Sequence, residues 1–111
     1  MSIRKYRTAL AAWLACVLFA ALVLLFCTGT SPLYNGHDWT DPNTYLTMGR
    51  GLLRGAVPYR DLFDHKGPLL YFIFALGALL HLTGFLGVFF LQVISLGTTL
   101  FFFYQIALLI L

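Results

Sequence analysis

The residues able to do chemistry are crowded into one stretch. Four aspartates (Asp38, Asp41, Asp61, Asp64) and four basic residues (Arg50, Arg54, Arg60, Lys66) fall between positions 38 and 66, with His37 and His65 close by. A carboxylate can remove a proton from an attacking hydroxyl. Arginine grips phosphate with a bidentate fork and lysine holds it as a point charge. Together they suit a reaction in which charge develops on a departing phosphate oxygen, where electrostatic stabilisation is usually the largest catalytic term. Each residue also has a plainer role. Asp41, before Pro42, has the sequence of a helix N-cap, and a cap holds its carboxylate in a fixed place whether or not it reacts. Arg50 and Arg54 can reach to anionic headgroups, and Asp61, Asp64 and Lys66 can form a solvated ion-pair cluster worth under about 1 kcal/mol per pair. The two histidines lack metal-ligand spacing, so no resident metal or other cofactor is expected, although a divalent ion is left open.

The surroundings of this stretch set its location. Hydrophobic residues make up 60% of the 111-residue chain and charged residues only 10%. A soluble domain carries about 25% charged residues, so this chain cannot clothe a soluble surface. Residues 8–37 and 67–111 contain no Asp, Glu, Lys or Arg. An ionised side chain at mid-bilayer costs about 2.5 to 3.5 kcal/mol on insertion scales, so charge-free runs of this length read as membrane. The +3 net charge comes from Arg4, Lys5 and Arg7, since the later acids and bases balance. Basic residues before a first hydrophobic segment put the amino terminus in the cytoplasm and the following loop outside, in the cytoplasmic membrane of a cell. They are not a nucleic-acid footprint, and no nucleic-acid partner is expected.

The sequence therefore predicts an all-α, multi-pass membrane protein with three transmembrane helices, at about 8–28, 68–83 and 85–111, and an extracytoplasmic loop at 29–67. A run of about 20 apolar residues spans about 30 Å of hydrocarbon. The first segment is longer than the apolar core of a cleaved signal peptide, and Phe26 before Cys27 does not suit a lipoprotein cleavage site. Cys16 and Cys27, on one helix, are too far apart for a disulfide. The second span is short, with a polar break at His81, Thr83 and Gly84. In the third, Gln92, Ser95 and Thr99 form a stripe of the kind that faces neighbouring helices. Inside the loop, Asp41-Pro42 starts an amphipathic juxtamembrane helix expected to run to Arg54, with Gly55 as its stop. Tyr45, Met48, Leu52 and Leu53 fall on one side of it and Arg50 and Arg54 on another.

Asp41-Pro42-Asn43-Thr44-Tyr45, then Gly49, Leu53, Gly55, Pro58-Tyr59-Arg60-Asp61 and Phe63-Asp64-His65-Lys66-Gly67-Pro68-Leu69, resemble the first extracytoplasmic loop of bacterial GT-C glycosyltransferases. These are polytopic enzymes related to protein O-mannosyltransferases and to the aminoarabinose transferase that modifies lipid A. The resemblance covers about residues 31–84. It implies transfer of a sugar from a polyprenyl-phosphate carrier to an extracytoplasmic acceptor, whether glycan, lipid or protein. It implies that Asp41 is the catalytic carboxylate of the first loop and that Lys66, before Gly67-Pro68, contacts the carrier phosphate, with Arg60, Arg50 and Arg54 assisting. Tyr45, Tyr59, Asp61, Asp64 and His65 are candidate supporting residues. Many relatives have a second acid where this chain has Pro42, and the family has more membrane helices, so an amino-terminal part of a larger enzyme is expected. The alternative is a non-catalytic small membrane protein, or an inactive remnant, whose loop only packs against partner helices.

Overall fold

The computed structural model describes residues 3–34, 40–80 and 84–111, with side chains from Tyr6 onward. His37, Asp38 and Trp39, and the expected polar break at His81 and Thr83, lie outside the described residues. The chain forms four helices, α1 (Ile3–Cys27), α2 (Thr40–Leu53), α3 (Pro68–Leu80) and α4 (Leu86–Ile110). Among the described residues the only β-type pairing is an isolated bridge between Pro58 and Leu62.

Two of the helices are long and apolar enough to cross a membrane: α1 over Tyr6–Cys27 and α4 over Leu86–Ile110. Only 6% and 11% of their most apolar stretches are buried within the chain, so neither is the core helix of a packed domain. Leu10, Leu14, Leu18 and Leu22 recur at helical spacing on the exposed face of α1. The carbonyls left unsatisfied at the end of α1 find local donors. Ser31 Oγ donates to the Leu25 carbonyl at 2.7 Å, and Tyr34 Oη donates to that of Phe26 at 2.8 Å. Cys16 and Cys27 are free thiols.

The helices pack in a series, α1 on α4, α4 on α3 and α3 on α2. The pairing of α1 with α4 fixes their relative direction. Thr30, just after α1, donates to Gln92 near the start of α4. Trp13 Nε1 donates to Thr98 Oγ1 at 3.1 Å, midway along both helices. Tyr6, near the start of α1, shares a groove with Tyr104 and Leu108 near the end of α4. Rising numbers on α1 meet falling numbers on α4, so the two helices are antiparallel. Three successive crossings would have made them parallel. Instead α3 begins and ends at the end of the pair where α1 finishes and α4 starts. Its 13 residues reach about 20 Å, well short of the 30 Å hydrocarbon core.

Glycines allow the close approaches at this end. A Cβ at Gly49 of α2 would lie 2.6 Å from the backbone of Phe74 and Ala75, and one at Gly77 of α3 would lie 2.7 Å from Val88 of α4. Gly87 meets the Gly77 carbonyl closely from the other side. Around these approaches Leu46, Phe74, Ala78, Phe85 and Val88 form a buried cluster. The stripe expected on α4 divides. Gln92 does bond to the α1 end, but Ser95 and Thr99 are exposed, and Thr99 Oγ1 donates back to the Ser95 carbonyl at 2.8 Å. Thr98, outside the stripe, makes the second bond to α1.

Candidate functional site

Asp38 apart, the charged stretch sits on α2 and in the loop that joins α2 to α3. The end of α2 is built by its own sequence. The Gly55 N–H bonds the Leu52 carbonyl at 3.0 Å, the Ala56 N–H bonds that of Gly51 at 2.9 Å, and Gly55 has φ of 86°. This is the Schellman arrangement that a glycine after the last turn permits. The helix stops at Leu53, one residue earlier than expected, and it starts at Thr40, so Asp41 lies inside its first turn rather than at the N-cap. The Asp41 carboxylate is exposed and accepts the Tyr45 hydroxyl at 3.2 Å, one turn further on.

After Gly55 the chain folds into a compact loop. The Asp61 N–H bonds the Val57 carbonyl at 2.9 Å, and the Tyr59 N–H bonds that of Leu62 at 2.7 Å. Tyr59 takes φ of 64°, a left-handed conformation that non-glycine residues seldom adopt and that surrounding bonds must hold. Leu62 fills the space above Gly51. The Asp61 carboxylate accepts the Val57 N–H at 2.8 Å and both Nε and Nη2 of Arg60 at 2.8 Å. The Arg60 fork is thus occupied by Asp61, and this partner, then the Val57 N–H, holds the Asp61 carboxyl below its ordinary pKa.

Asp64 is held differently. Its carboxylate accepts the His65 N–H at 2.8 Å and lies 3.0 Å from His65 Nδ1 and from the Tyr71 hydroxyl. Burial pushes its pKa up. The His65 N–H, the Tyr71 hydroxyl and the charges of His65 and Lys66 outweigh that and leave it below the ordinary value. Lys66 is fixed through its backbone. Its N–H donates to the Tyr71 hydroxyl at 3.1 Å, and its carbonyl accepts from Tyr59.

Tyr45 connects the two halves of the site. Its ring meets Phe74 of α3 edge-on, with centroids 5.5 Å apart. Burial raises its pKa first, then the Asp41 charge; Lys66 pulls it down and Asp64 adds to the rise. One hydroxyl therefore feels an acid from α2 together with a base and an acid from the approach to α3. Beneath it a cavity of about 180 Å³ is lined by Thr30, Pro42, Tyr45, Phe74, Phe85 and Gln92, mostly apolar with a few polar tips.

Arg50 and Arg54 stand apart from this group. Nine residues at about 100° each put Arg50 half a turn around α2 from Asp41. Its Nε is buried without a hydrogen-bond partner among the described residues, while Arg54 is exposed. The expected residues thus divide into Asp41, Tyr45, Asp64 and Lys66 on one side, an Arg60–Asp61 pair in the loop, and Arg50 with Arg54 on the far side. Tyr59 ties the loop to Lys66, and His65, mostly exposed, pairs with Asp64. Sequence reasoning passed over Tyr71, whose side chain is wholly buried. The available signal was a tyrosine in an apolar run, since a buried phenol needs a hydrogen-bond partner.

An acid that can take a proton and a cation that can hold an anion are thus positioned from separate elements, at the end of the α1–α4 pair where both membrane-capable helices meet the loop. No protein-family model, no curated protein and no solved structure matches the chain.

Proposed function

We propose that this chain carries the first-loop site of a membrane glycosyltransferase, which moves a sugar from a polyprenyl-phosphate carrier to an extracytoplasmic glycan, lipid or protein. The observation that carries this reading is geometric: the Asp41 carboxylate accepts from Tyr45, whose ring packs on Phe74 of α3, and the Tyr71 hydroxyl of that same helix holds Asp64 and the Lys66 backbone. In the proposed step the acceptor hydroxyl oxygen attacks the anomeric carbon and its proton passes to Asp41. The bond from that carbon to the phosphate oxygen breaks, and the polyprenyl phosphate leaves with the electron pair beside the Lys66 ammonium. α1 and α4 cross the cytoplasmic membrane, with Arg4, Lys5 and Arg7 on the cytoplasmic side. α2 and α3 then lie at the opposite face, α3 dipping into the outer leaflet through its exposed Leu69, Phe72, Leu76 and Leu80. That placement sets Lys66 at headgroup depth, where a lipid phosphate sits.

The test is sugar transfer from a panel of polyprenyl-phosphate sugars in membranes carrying the protein. Asp41→Asn is expected to lower the transfer rate by about 10² to 10⁴, the usual contribution of a general base. Lys66→Gln is expected to weaken capture of the donor. Transfer unchanged by Asp41→Asn removes the mechanism. The exposed leucine ridge of α1 favours, as a second reading, a non-catalytic membrane protein that only packs with partner helices. On that reading both substitutions are silent, whereas bulky replacements along the ridge disrupt assembly.

A further inference from the structure

The backbone of Lys66 is held far more firmly than its side chain. Its N–H and carbonyl lie 3.1 and 3.0 Å from the Tyr71 hydroxyl, and the carbonyl also accepts from Tyr59. The Tyr71 ring, in the first turn of α3, is wholly buried, with the Tyr59 ring 6.2 Å away between centroids. A phenol has one proton. Tyr59 already serves the Lys66 carbonyl, so the Tyr71 proton goes to the charged acceptor, Asp64 Oδ2 at 3.0 Å, the stronger of the two bonds. One oxygen thereby accepts from Lys66 and donates to Asp64, and locks the segment between them to α3. The Lys66 ammonium, by contrast, forms no ion pair within 4.0 Å among the described residues.

We infer that Tyr71 is a positioning residue, which aims the Lys66 ammonium at the phosphate of an isoprenoid phosphate monoester. This rests on the reading of Lys66 given above. Tyr71 touches no substrate; it fixes the point from which the lysine side chain departs. Preorganisation of this kind is lost when the supporting group moves by an ångström or so.

The experiment measures binding of farnesyl phosphate, with farnesol as the phosphate-free control, to the full chain in phospholipid nanodiscs. Tyr71→Phe keeps the buried ring and removes the hydroxyl. It is expected to weaken farnesyl phosphate binding roughly tenfold and to leave farnesol within about twofold, because only the aim of the cation changes. The decisive comparison repeats the substitution in a Lys66→Gln background. A residue acting through Lys66 has no further effect once the ammonium is gone, whereas a merely structural residue loses the same factor in both backgrounds. Equal losses in both backgrounds, or no loss with Lys66 intact, overturn the inference. If Lys66→Gln alone binds farnesyl phosphate as well as the native chain, the phosphate-holding role of Lys66 fails first and takes this inference with it. Should Tyr71→Phe not fold, Tyr59→Phe removes the other donor to Lys66 and is judged by the same two-background comparison.

Discussion

At the scale of single residues, the site owes its character to which charges are committed and which are not. Arg60 is spent on Asp61, while Lys66 is held by its backbone and forms no ion pair among the described residues. Among the described residues Arg50 buries its Nε without a partner, half a turn from Asp41. A buried donor left unsatisfied costs about 1 to 3 kcal/mol, so Arg50→Met should raise stability, by about 1 kcal/mol for a side chain that keeps some exposure. It should also leave polyprenyl-phosphate binding unchanged, and chemical denaturation alongside a binding assay tests both. Asp61 and Asp64 give a pH prediction. Both have folded pKa values below the ordinary 3.8. Their contribution is therefore complete above that value and is lost as pH falls past it through the lower folded values. The amide resonances of Val57 and His65 should keep their native shifts down to the ordinary carboxylate value of 3.8 and lose them only at lower pH. Asp61→Asn should remove the Val57 transition and Asp64→Asn that of His65. Part of this scale was legible in residue types: the sequence singled out Asp41, Tyr45 and Lys66 as able to do chemistry, and the structure brings Asp41 and Tyr45 into contact. Which arginine is sequestered was not, because an ion pair between neighbours in a turn depends on a backbone path that spacing does not reveal.

At the scale of elements, sequence chemistry located the helices well and their neighbours poorly. Asp41-Pro42 and Gly55 bracket α2 to within a residue or two, since proline and glycine constrain the backbone directly. The burial of Leu46 was missed, because periodicity marks an apolar face without saying what covers it. The role of the glycines was invisible for the same reason. Gly49→Ala would drive a Cβ into the backbone of α3, and Gly77→Ala would press on Val88. Each should cost roughly 1 to 3 kcal/mol, the usual penalty for overpacking. Gly55→Ala should cost about 1 kcal/mol through its left-handed φ, with no clash at all. Gly67→Ala, with open space and no such φ, should be close to neutral. Thermal midpoints in one detergent should rank Gly67→Ala above Gly55→Ala and both above Gly49→Ala. A Gly49→Ala variant as stable as the native chain would mean that α2 does not sit on α3 as described.

At the scale of the whole molecule, hydropathy reveals where apolar segments are but carries no sign of their direction. Counting three apolar segments leads to three alternating crossings, yet the pairs Thr30–Gln92 and Trp13–Thr98 require α1 and α4 to be antiparallel. The sequence held one hint of this, since the second apolar run, expected over 68–83, is short for a perpendicular crossing. If α1 and α4 both span the bilayer, residues 7 and 111 must face the same compartment and residue 67 the other. Three crossings would instead put residue 111 with residue 67. Single cysteines at these positions separate the two arrangements, once Cys16 and Cys27 are replaced by alanine so that only the introduced thiol reports. In intact cells a membrane-impermeant maleimide should label Gly67→Cys and spare Arg7→Cys and Leu111→Cys, and permeabilisation should expose all three. Labelling of Leu111→Cys in intact cells together with Gly67→Cys would place the two ends of α4 on the wrong sides. The same result would remove the outer-leaflet position of α3, and with it the reason that Lys66 sits at headgroup depth.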